Sequence, residues 1–452
     1  MNIIIAGSGK VGLTLARRLA EEGYNLTLID SDPQVLADVC ENFDVIGIQG
    51  NCASMPVLQQ AGVAEADLLI AATSEDEVNL LCCTTAHGLN PRLHTIGRIR
   101  NPEYAQQIVA MRDVFALSLS VNPEKQAADE IESLLRFPGF LQRDTFAGGR
   151  TAIVELRVDR GSRLRNVYLN ALNSIVKCKV LVCAVLRDGV AIIPGGNFAL
   201  QEGDRVFVTA PSASLSILLK NLDIVAHRVR KVILCGGGRI GYYLAQQLCK
   251  DGISVTLIEK KRESCIELAA ALPEVTVICG DATDKSLLED HGLLSCDALV
   301  SLTCMDELNM VLSLYATSKD VPQVIAKLSH TENRSISNTL ALGSVISPRE
   351  LCCDTIIRYV RAMNNQTGAA ESVHSIADDQ VEAVEFRVDE YTLNHGLPLK
   401  SIRLRPDVLL ASITHGTQTE IPGGNSVFLP GDTIVVVTSR RGSLRQVNDI
   451  FA

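Results

Sequence analysis

Short apolar runs alternate with helix-length segments of mixed polarity through the first 120 residues of the chain. Apolar runs of strand length, separated in this way, are typical of parallel strands that are buried on both faces and joined by helical crossovers. The pattern predicts a doubly wound α/β domain with six strands. The predicted strands lie near residues 2–6, 25–30, 43–48, 67–72, 93–98 and 114–119.

The same pattern returns in the second half of the chain. Residues 2–30 and 231–259 align without a gap, and 11 of the 29 positions are identical. Each copy runs from a strand through a glycine turn and a helix to a second strand that ends on an acid, Asp30 or Glu259. The repeat predicts two Rossmann-like domains. Their glycine turns are Gly7-Ser8-Gly9-Lys10-Val11-Gly12 and Gly236-Gly237-Gly238-Arg239-Ile240-Gly241.

A different pattern follows each Rossmann-like region. An amphipathic helix is predicted near Pro123–Phe137 and again near Pro348–Met363, because apolar residues recur there at helical spacing. Short β-rich runs split by Pro-Gly-Gly turns come next, and they indicate a small α+β domain with largely antiparallel strands. We therefore expect two Rossmann-like domains, each followed by a small α+β domain. The predicted bounds are 1–124, 144–228, 230–348 and 368–452.

Composition narrows the class of protein. The formal net charge of −10 argues against a nucleic-acid-binding protein and against a polybasic membrane anchor. No apolar run approaches the roughly 20 residues that a membrane-spanning helix needs. The N-terminus leads directly into a strand and does not resemble a signal peptide. We therefore expect a cytoplasmic protein with no nucleic-acid partner.

The 14 cysteines lie mostly inside apolar runs, and none of them forms a C-x-x-C pair. Together with the scattered histidines they show no zinc-binding spacing, so no metal site is predicted. We expect them to be small buried hydrophobic residues in a reducing compartment, with redox sensing as the open alternative.

The glycine turns carry the most specific chemistry. The first glycine permits a tight turn, the second lets the backbone approach a pyrophosphate, and the third lets the helix pack closely on the strand. The helix N-terminus offers N–H groups and positive dipole charge to the phosphates. Asp30 and Glu259 are placed to hydrogen-bond ribose hydroxyls, and their charge would repel the 2′-phosphate of NADP. Both turns therefore predict adenine-nucleotide binding.

Polar residues follow the middle strands of the first half, at the edge where open parallel sheets bind ligands. Asn51 is a candidate contact for adenine, Thr73 and Ser74 for phosphate or ribose, and Arg98 for phosphate charge. Each of them could instead be an ordinary strand end or helix cap. In the second half the corresponding residues are Asp281, Thr303 and Lys327, and the two changes of residue type could alter affinity or nucleotide choice there.

The four-part order and these turns resemble the regulator of conductance of potassium (RCK) family over essentially the whole chain. The most specific features are the two glycine turns with their acids and the Ile-Pro-Gly-Gly-Asn stretches that begin at Ile193 and Ile421. The resemblance implies NAD(H) or ATP/ADP as the ligand. It carries the family's nucleotide contacts onto Gly7 to Val11, Asp30, Thr73, Ser74 and Arg98 in the first half, and onto Gly236 to Ile240, Glu259, Asp281 and Thr303 in the second.

The resemblance also implies a regulatory subunit and not an enzyme. Its partner would be a membrane subunit that conducts potassium, TrkH- or TrkG-like, which would hold it at the cytoplasmic face of the inner membrane. The family further implies a homo-oligomeric ring, dimeric or tetrameric. A subunit of a potassium efflux or antiport system with the same domains is an open alternative.

An NAD-dependent oxidoreductase is the alternative from another class. It would need a proton donor beside the nicotinamide. His87 and His94 are the nearest candidates, and neither has a counterpart at the corresponding place in the second half. We therefore expect both to be structural, and we expect a ligand-controlled switch with no catalytic residue.

Overall fold

A computed structural model describes residues 1–452, apart from 138, 225–228, 330–339, 341, 364–367, 369, 379 and 441, and gives the backbone alone at 105, 106 and 109. The chain forms two compact units. The first comprises Met1–Asp129, Gly238–Leu244 and Ser347–Tyr359, and the second comprises Glu130–Gly237, Ala245–Ile346 and Val360–Ala452.

The first unit contains a parallel sheet of six strands connected by helices. Strands β1 to β6 are Asn2–Ala6, Asn25–Asp30, Ile46–Gln49, Leu68–Ala71, His94–Arg98 and Leu119–Val121. Helices α1 to α5 are Lys10–Glu21, Pro33–Asn42, Met55–Gln60, Asp76–Leu89 and Pro102–Met111, with a 3-10 turn at Val63–Glu65. The strand order is β3-β2-β1-β4-β5-β6, with β1 and β4 at the centre. Helices cover both faces of the central strands, so Ile3, Ile4 and Ile5 of β1 are at most 2% exposed.

Two predicted strands are displaced in the structure. The sixth lies at Leu119–Val121 and not at 114–119, because the apolar residues before it belong to a turn in which Ala116 has φ of 52°. Phe115 and Leu117 of that turn pack into the core beneath the sheet. The third strand begins at Ile46, since the Phe43 N–H still donates to the Val39 oxygen and closes α2. Apolar residues that serve a turn therefore resemble a strand when only their polarity is considered.

The helix α6 (Pro123–Arg136) leads from the first unit into the second, as its apolar stripe predicted. Ala128, Ile131, Leu134 and Leu135 of that stripe are all buried. Within the second unit, the Gln323 side chain donates to the Leu134 oxygen at 2.9 Å.

The second unit contains another parallel sheet and two antiparallel sheets. Strands β7 to β11 (Gln142–Phe146, Thr151–Arg157, Leu181–Arg187, Val190–Ile192, Arg205–Pro211) form the first antiparallel sheet, in the order β10-β9-β11-β8-β7. Strands β12 to β17 (Lys231–Cys235, Ser254–Glu259, Thr276–Cys279, Ala298–Ser301, Gln323–Lys327, Ser344–Ile346) form the parallel sheet, in the order β14-β13-β12-β15-β16-β17. Strands β18 to β22 (Ala370–Ile376, Val381–Arg387, Val408–His415, Gln418–Glu420, Thr433–Thr438) form the second antiparallel sheet, in the order β18-β19-β22-β20-β21.

The remaining helices, some of which include residues of both units, connect these strands. Helices α7 to α13 are Leu169–Val176, Leu215–Asn221, Arg239–Lys250, Arg262–Ala271, Lys285–Asp290, Asp306–Ser318 and Pro348–Met363. Four 3-10 turns lie at Ser212–Ser214, Leu293–Ser295, Leu399–Ser401 and Val447–Ile450. The last regular helix agrees with its predicted bounds.

The two antiparallel sheets pack on each other within the second unit. Phe146, Ile153 and Phe207 of one sheet and Val381 and Val435 of the other are at most 1% exposed and share one apolar core. The Pro-Gly-Gly segments form the predicted turns, closed by hydrogen bonds from the Phe198 N–H to the Gly195 oxygen and from the Ser426 N–H to the Gly423 oxygen. The predicted fold class, two Rossmann-like domains each with a small antiparallel domain, is confirmed.

The cysteines divide by exposure. Cys40, Cys279 and Cys304 are exposed, Cys178 and Cys249 are half-buried, and the other nine are buried, so the prediction of buried thiols holds for most of them. None of the helices in the described part of the chain is both long enough and apolar enough to span a bilayer.

Candidate functional site

Strand order creates one candidate site in each parallel sheet. We call the sheet β1–β6 with its helices the first lobe and the sheet β12–β17 with its helices the second lobe. In the first lobe β1 lies between β2 and β4, so the chain leaves β1 in one direction and returns on the other side. Such a switch point opens a crevice at the carboxyl ends of the central strands, where doubly wound sheets bind ligands. The second lobe has the same order around β12.

Two glycines of the first glycine turn are packed against backbone. Gly7 has φ of 101°, in the left-handed region that favours glycine, and its N–H donates to the Ile29 oxygen at 2.8 Å. A Cβ at Gly7 would lie 2.9 Å from the Thr73 nitrogen. A Cβ at Gly12 would lie 1.9 Å from the Gly7 oxygen. A side chain at either position would therefore force the loop apart.

Gly9 is in a different environment, because a Cβ there would meet no atom within 4 Å. The helix α1 begins at the next residue, the exposed Lys10, and the Leu13 N–H donates to the Gly9 oxygen at 2.9 Å. The first turn of a helix directs N–H groups that lack intrahelical partners into such a space. The open space beside Gly9 therefore fits a phosphate that approaches the backbone, and a methyl group at Gly9 would occupy part of it.

Asp30 fastens the glycine loop to the end of β2. Its carboxylate accepts hydrogen bonds from the Ser8 N–H at 2.6 Å, from the Ser8 hydroxyl, and from the Asp32 N–H at 3.0 Å. Burial raises the pKa of Asp30, but the hydrogen bonds from Ser8, Asp32 and Ser31 outweigh it and hold the pKa below its ordinary value. A carboxylate offers about four acceptor sites. Asp30 therefore holds the loop through most of these sites, and a ribose hydroxyl would share an oxygen with one of the loop donors or replace it.

Glu259 fastens the second glycine loop with a longer side chain. Its carboxylate accepts from the Gly237 N–H and from the Lys261 N–H, both at 2.8 Å. Gly237 stands where Ser8 stands in the first lobe, and a Cβ there would lie 2.4 Å from Leu268 Cδ1 and 3.2 Å from Glu259 Cβ. The second lobe therefore has a larger acid, Glu259 in place of Asp30, where the neighbouring loop residue has no side chain, Gly237 in place of Ser8.

The other residues of the second loop follow the first. Gly236 has φ of 123°, and a Cβ there would lie 2.8 Å from the Leu302 oxygen. A Cβ at Gly238 would meet no atom within 4 Å, as at Gly9. The helix α9 begins directly afterwards with the exposed Arg239 and the buried Ile240 and Gly241, just as α1 begins with Lys10 and the buried Val11 and Gly12.

A buried asparagine joins the ends of β4 and β5 in the first lobe. Asn79 Oδ1 accepts from the Thr73 N–H at 2.8 Å and from the Thr73 hydroxyl at 2.7 Å. The Asn79 amide nitrogen donates to the Arg98 oxygen at 2.9 Å. Because its hydroxyl proton is directed to Asn79, Thr73 keeps lone pairs with which to accept a hydrogen bond from a ligand.

Arg98 supplies positive charge at the same edge. Its guanidinium is half-buried and donates to the Thr73 oxygen at 2.5 Å, while its Nε is buried without a hydrogen-bond partner among the described residues. Burial, together with the charge of Arg100, lowers the pKa of the Arg98 guanidinium below its ordinary value. A phosphate at this edge of the sheet would be attracted by the guanidinium charge. The phosphate contact of Arg98 stays a prediction.

The second lobe repeats the asparagine bridge. The Thr303 N–H and hydroxyl donate to Asn309 Oδ1 at 2.9 and 2.7 Å, and the Asn309 amide donates to the Lys327 oxygen at 2.9 Å. Neither Asn79 nor Asn309 is among the residues predicted from the sequence. Their identity at corresponding places in both copies is the sequence signal that could have identified them.

Asn51 and Asp281 lie in exposed turns after β3 and β14. Asn51 Oδ1 accepts from the Ala53 N–H at 3.0 Å, and Asp281 accepts from the Thr283 N–H at 3.0 Å. Asp281 also pairs with Lys260 Nζ at 2.8 Å, and the hydrogen bonds from Lys260 and Thr283 lower the pKa of Asp281 to about 2. The two turns follow the acid-bearing strands, since the Gly50 N–H donates to the Asp30 oxygen and the Gly280 N–H to the Glu259 oxygen, both at 2.9 Å.

Each lobe thus has a frame of two hydrogen-bonded parts, the glycine turn with its acid and the threonine with its asparagine, and the first glycine of the turn packs against the backbone of the threonine. Asn51, Asp281 and the exposed Ser74 lie outside that frame, since no hydrogen bond between described residues links them to either of its parts. Cys304 occupies in the second lobe the place that Ser74 has in the first, and it is also exposed.

The two histidines considered for hydride chemistry lie elsewhere. His94 begins β5, at the end of the strand opposite to Arg98, and its Nδ1 lies 2.9 Å from the Tyr359 hydroxyl. His87 lies near the end of α4, far along the helix from the Thr73 edge where that helix begins. Neither histidine is placed to donate a proton at the switch point, so the oxidoreductase alternative loses both candidates.

The chain resembles known proteins over its whole length. The model of the TrkA-N domain family matches residues 3–114 and 232–348, and that of the TrkA-C domain family matches 153–223 and 383–452. A Trk system potassium uptake protein TrkA homolog from Archaeoglobus fulgidus is 30% identical over 452 residues and covers 100% of both chains. The Trk system potassium uptake protein TrkA of Halomonas elongata is 28% identical and covers 100% of this chain and 98% of its own. Both relatives are named for potassium uptake and not for an enzymatic activity, in agreement with the prediction that the chain is not an enzyme.

Solved structures show the same fold. The GsuK RCK domain superposes with a TM-score of 0.61 at 17% identity, over 96% of this chain and 92% of its own. The GsuK channel bound to NAD superposes with a TM-score of 0.61 at 17% identity, over 97% of this chain and 76% of its own. These structures confirm the fold, and the matches to the TrkA-N and TrkA-C domain models confirm the resemblance predicted from the sequence.

Proposed function

The chain belongs to the family of tandem TrkA-N and TrkA-C domain proteins, and we propose that it is a nucleotide-binding regulatory subunit that gates a membrane potassium channel or transporter of the Trk type. The observation that carries the proposal is the repeated frame at the two switch points. Each frame holds a glycine loop fastened by an acid, an open space at the middle glycine, and a threonine fixed by a buried asparagine.

We propose NAD(H) as the ligand, with ATP or ADP as the competing choice. The open space at Gly9 and Gly238 suits a pyrophosphate, and Asp30 and Glu259 suit the ribose next to adenine. The NAD in a solved GsuK channel of the same fold supports this choice. The proposed contacts are Gly7, Ser8, Gly9, Lys10, Val11, Gly12, Asp30, Asn51, Thr73, Ser74 and Arg98 in the first lobe, and Gly236, Gly237, Gly238, Arg239, Ile240, Gly241, Glu259, Asp281 and Thr303 in the second.

Regulation follows from ligand binding at two places in one chain. A nucleotide shifts a conformational equilibrium only by its difference in affinity for the two states. The proposed partner is a TrkH- or TrkG-like potassium-conducting membrane subunit, and the proposed assembly is a dimeric or tetrameric ring at the cytoplasmic face of the inner membrane. The names of the relatives, which are proteins of potassium uptake, favour this partner over an efflux or antiport system. The proposed domains span residues 1–124, 144–228, 230–348 and 368–452.

Calorimetric titration of the purified full chain with NADH, NAD, ATP and ADP tests the proposal. Gly9→Ala and Gly238→Ala each add a methyl group that meets no protein atom, so the fold is retained while the phosphate position is filled. We expect two saturable sites, with each variant weakening one of them at least tenfold. Gly161→Ala is the matched control, because its Cβ also meets no atom within 4 Å and the residue lies in a small antiparallel domain.

The outcomes separate the functions. Absence of binding, or binding that neither lobe variant weakens, would overturn the nucleotide proposal. Oxidation of NADH in the presence of an added carbonyl substrate would restore the oxidoreductase alternative. Gating is tested by rubidium uptake in cells that express a Trk-type membrane subunit, with and without this chain. Uptake that is equal in both cases would overturn the regulatory role.

A further inference from the structure

Two cysteines adjoin the acid of the second lobe, and the proposed function uses neither. The Cys265 thiol on α10 donates to the Glu259 backbone oxygen at 3.3 Å. Cys279 ends β14 and is paired in register with Glu259, the last residue of β13. Both cysteines therefore lie next to the residue that fastens the second glycine loop.

The two cysteines lie on the same side of the sheet, beside Glu259. A Cβ at Gly237 would meet Leu268 of α10 as well as Leu257 and Glu259 of β13, so α10 covers the face of the sheet that carries these two β13 side chains. Side chains in register on neighbouring parallel strands point to the same face. Cys279 therefore lies at the edge of the sheet, on the face that α10 with Cys265 packs against. Burial, together with the neighbouring Cys279, raises the pKa of the Cys265 thiol to about 11.

The pair differs in exposure and is confined to one lobe. Cys279 is exposed, whereas Cys265 is 7% exposed. An exposed thiol reacts first with an oxidant, and a buried neighbour can then resolve the product. In the first lobe Leu36 and Gln49 occupy the corresponding positions of the helix and the strand. The first lobe therefore has no such pair at this place.

We propose that Cys265 and Cys279 are an oxidative modification site, at which a hydroperoxide forms a disulfide behind Glu259 and weakens nucleotide binding by the second lobe alone. The Cys279 thiolate attacks the peroxide oxygen, which gives a sulfenic acid and releases an alcohol or water. The Cys265 sulfur then attacks the Cys279 sulfur, the S–S bond forms, and water leaves. Two thiols are oxidised and one peroxide is reduced, so two protons and two electrons are accounted for.

The proposed weakening of nucleotide binding follows from loss of the Cys265 thiol proton. The disulfide has no S–H, so the hydrogen bond to the Glu259 oxygen is lost and the position of this residue is set by the new covalent link. The Glu259 carboxylate holds the Gly237 N–H, and a shift of Glu259 moves the glycine loop with it. This consequence rests on the proposed function, whereas formation of the disulfide does not.

The experiment treats the reduced full chain with hydrogen peroxide, blocks the remaining thiols and maps the peptides by mass spectrometry. We expect a peptide pair linked through Cys265 and Cys279, lighter by two hydrogens. Cys279→Gln and Cys265→Leu, which introduce the residues of the first lobe, should each abolish the link. Cys40→Ser removes an exposed thiol of the first lobe and should leave the link intact. Cys52 and Cys82, both at most 5% exposed, are an internal control that should stay reduced.

Calorimetry on the same samples completes the test. We expect oxidation to weaken nucleotide binding at the second lobe at least threefold, to leave the first lobe unchanged, and to have no effect in Cys279→Gln. Irreversible oxidation of Cys279 without a link to Cys265 would overturn the proposal. A disulfide with unchanged binding would overturn its consequence for the second lobe. If reduced protein binds no nucleotide, the proposed function fails while the disulfide is still read directly.

Discussion

The two glycine loops are fastened in the same way by different side chains. In the first lobe a short acid, Asp30, accepts hydrogen bonds from both the N–H and the hydroxyl of Ser8. In the second lobe a longer acid, Glu259, accepts from the N–H of Gly237, which has no side chain. The added methylene of Glu259 and the missing side chain at 237 complement each other, since the position has no room for a Cβ. The hydrogen bond to the loop backbone is what the two lobes share.

The two lobes share the residues that hold the site together and differ in the residues at the edge where a ligand would lie. The asparagine bridges are the same, because Asn79 and Asn309 each join a threonine to the backbone of the next strand. Three corresponding positions around the bridges carry different residues in the two lobes. They are Asn51 and Asp281, Ser74 and Cys304, and Arg98 and Lys327. The lobes therefore share a scaffold and differ in charge and hydrogen-bonding capacity at the edge. Different affinities for one nucleotide are the expected consequence.

Gly12→Ala should have the largest effect. Its Cβ would lie 1.9 Å from the Gly7 oxygen, so the loop backbone must move, and we expect a loss of about 3 kcal/mol or more from the first lobe. Hydrogen exchange of the β1 and β12 amides during urea unfolding reads the two lobes separately. Gly9→Ala is the control and should leave β1 protection unchanged. Equal protection of the β1 amides in both variants would show that the close packing of Gly12 does not determine the stability of the first lobe.

Asn79→Ala and Asn309→Ala come next. Each removes a buried acceptor and donor and leaves backbone groups of two strand ends unpaired, which costs about 2–4 kcal/mol. Because the bonds are the same in both lobes, the two losses should agree within about 0.5 kcal/mol. Amide exchange in β4 and β15 measures each lobe in turn. A loss confined to one lobe would contradict the shared scaffold.

Exchanging the loop residues tests the complementary fit. Ser8→Gly removes one hydroxyl donor to Asp30 and should cost about 1 kcal/mol, whereas Gly237→Ser places a Cβ 2.4 Å from Leu268 and should cost about 1–3 kcal/mol. The double variant Gly237→Ser with Glu259→Asp should recover part of the second loss. Chemical denaturation monitored by exchange of the β12 amides checks this. Without any recovery, the two positions are independent.

The smallest effect is expected from the charge of Asp30. Its pKa is lowered in the folded chain, so its ionised form contributes stability above the unfolded pKa, and the contribution is lost as pH falls through the folded pKa. Asp30→Asn should therefore destabilise the first lobe at pH 7 by about 1 kcal/mol or less, and the difference should close below about pH 4. Unfolding between pH 3 and 7 measures it. Asp44→Asn, which removes the charge of an exposed residue of the first lobe, is the matched control.

The sequence by itself determined the repeat, the sheet-forming segments and the candidate loops. Apolar runs and glycine spacing are local properties, so Ile3 to Ile5, the stripe around Ile131, and Asp30 and Glu259 all lie where the pattern placed them. The predicted bounds of the sixth strand were wrong because polarity is also a local property. Phe115 and Leu117 are apolar, but they belong to a turn over the core.

The tertiary structure decided which of these residues meet. Asn79 became part of the site only because α4 begins between the ends of β4 and β5. Cys265 and Cys279 became neighbours through the pairing of β13 with β14, and the two antiparallel sheets share a core through residues more than 200 positions apart, such as Phe146 and Val381. Contacts of this kind depend on strand order and on helix placement over the sheet. Hydrophobic periodicity along the chain carries no information about them, since it reports only which face of each element is buried.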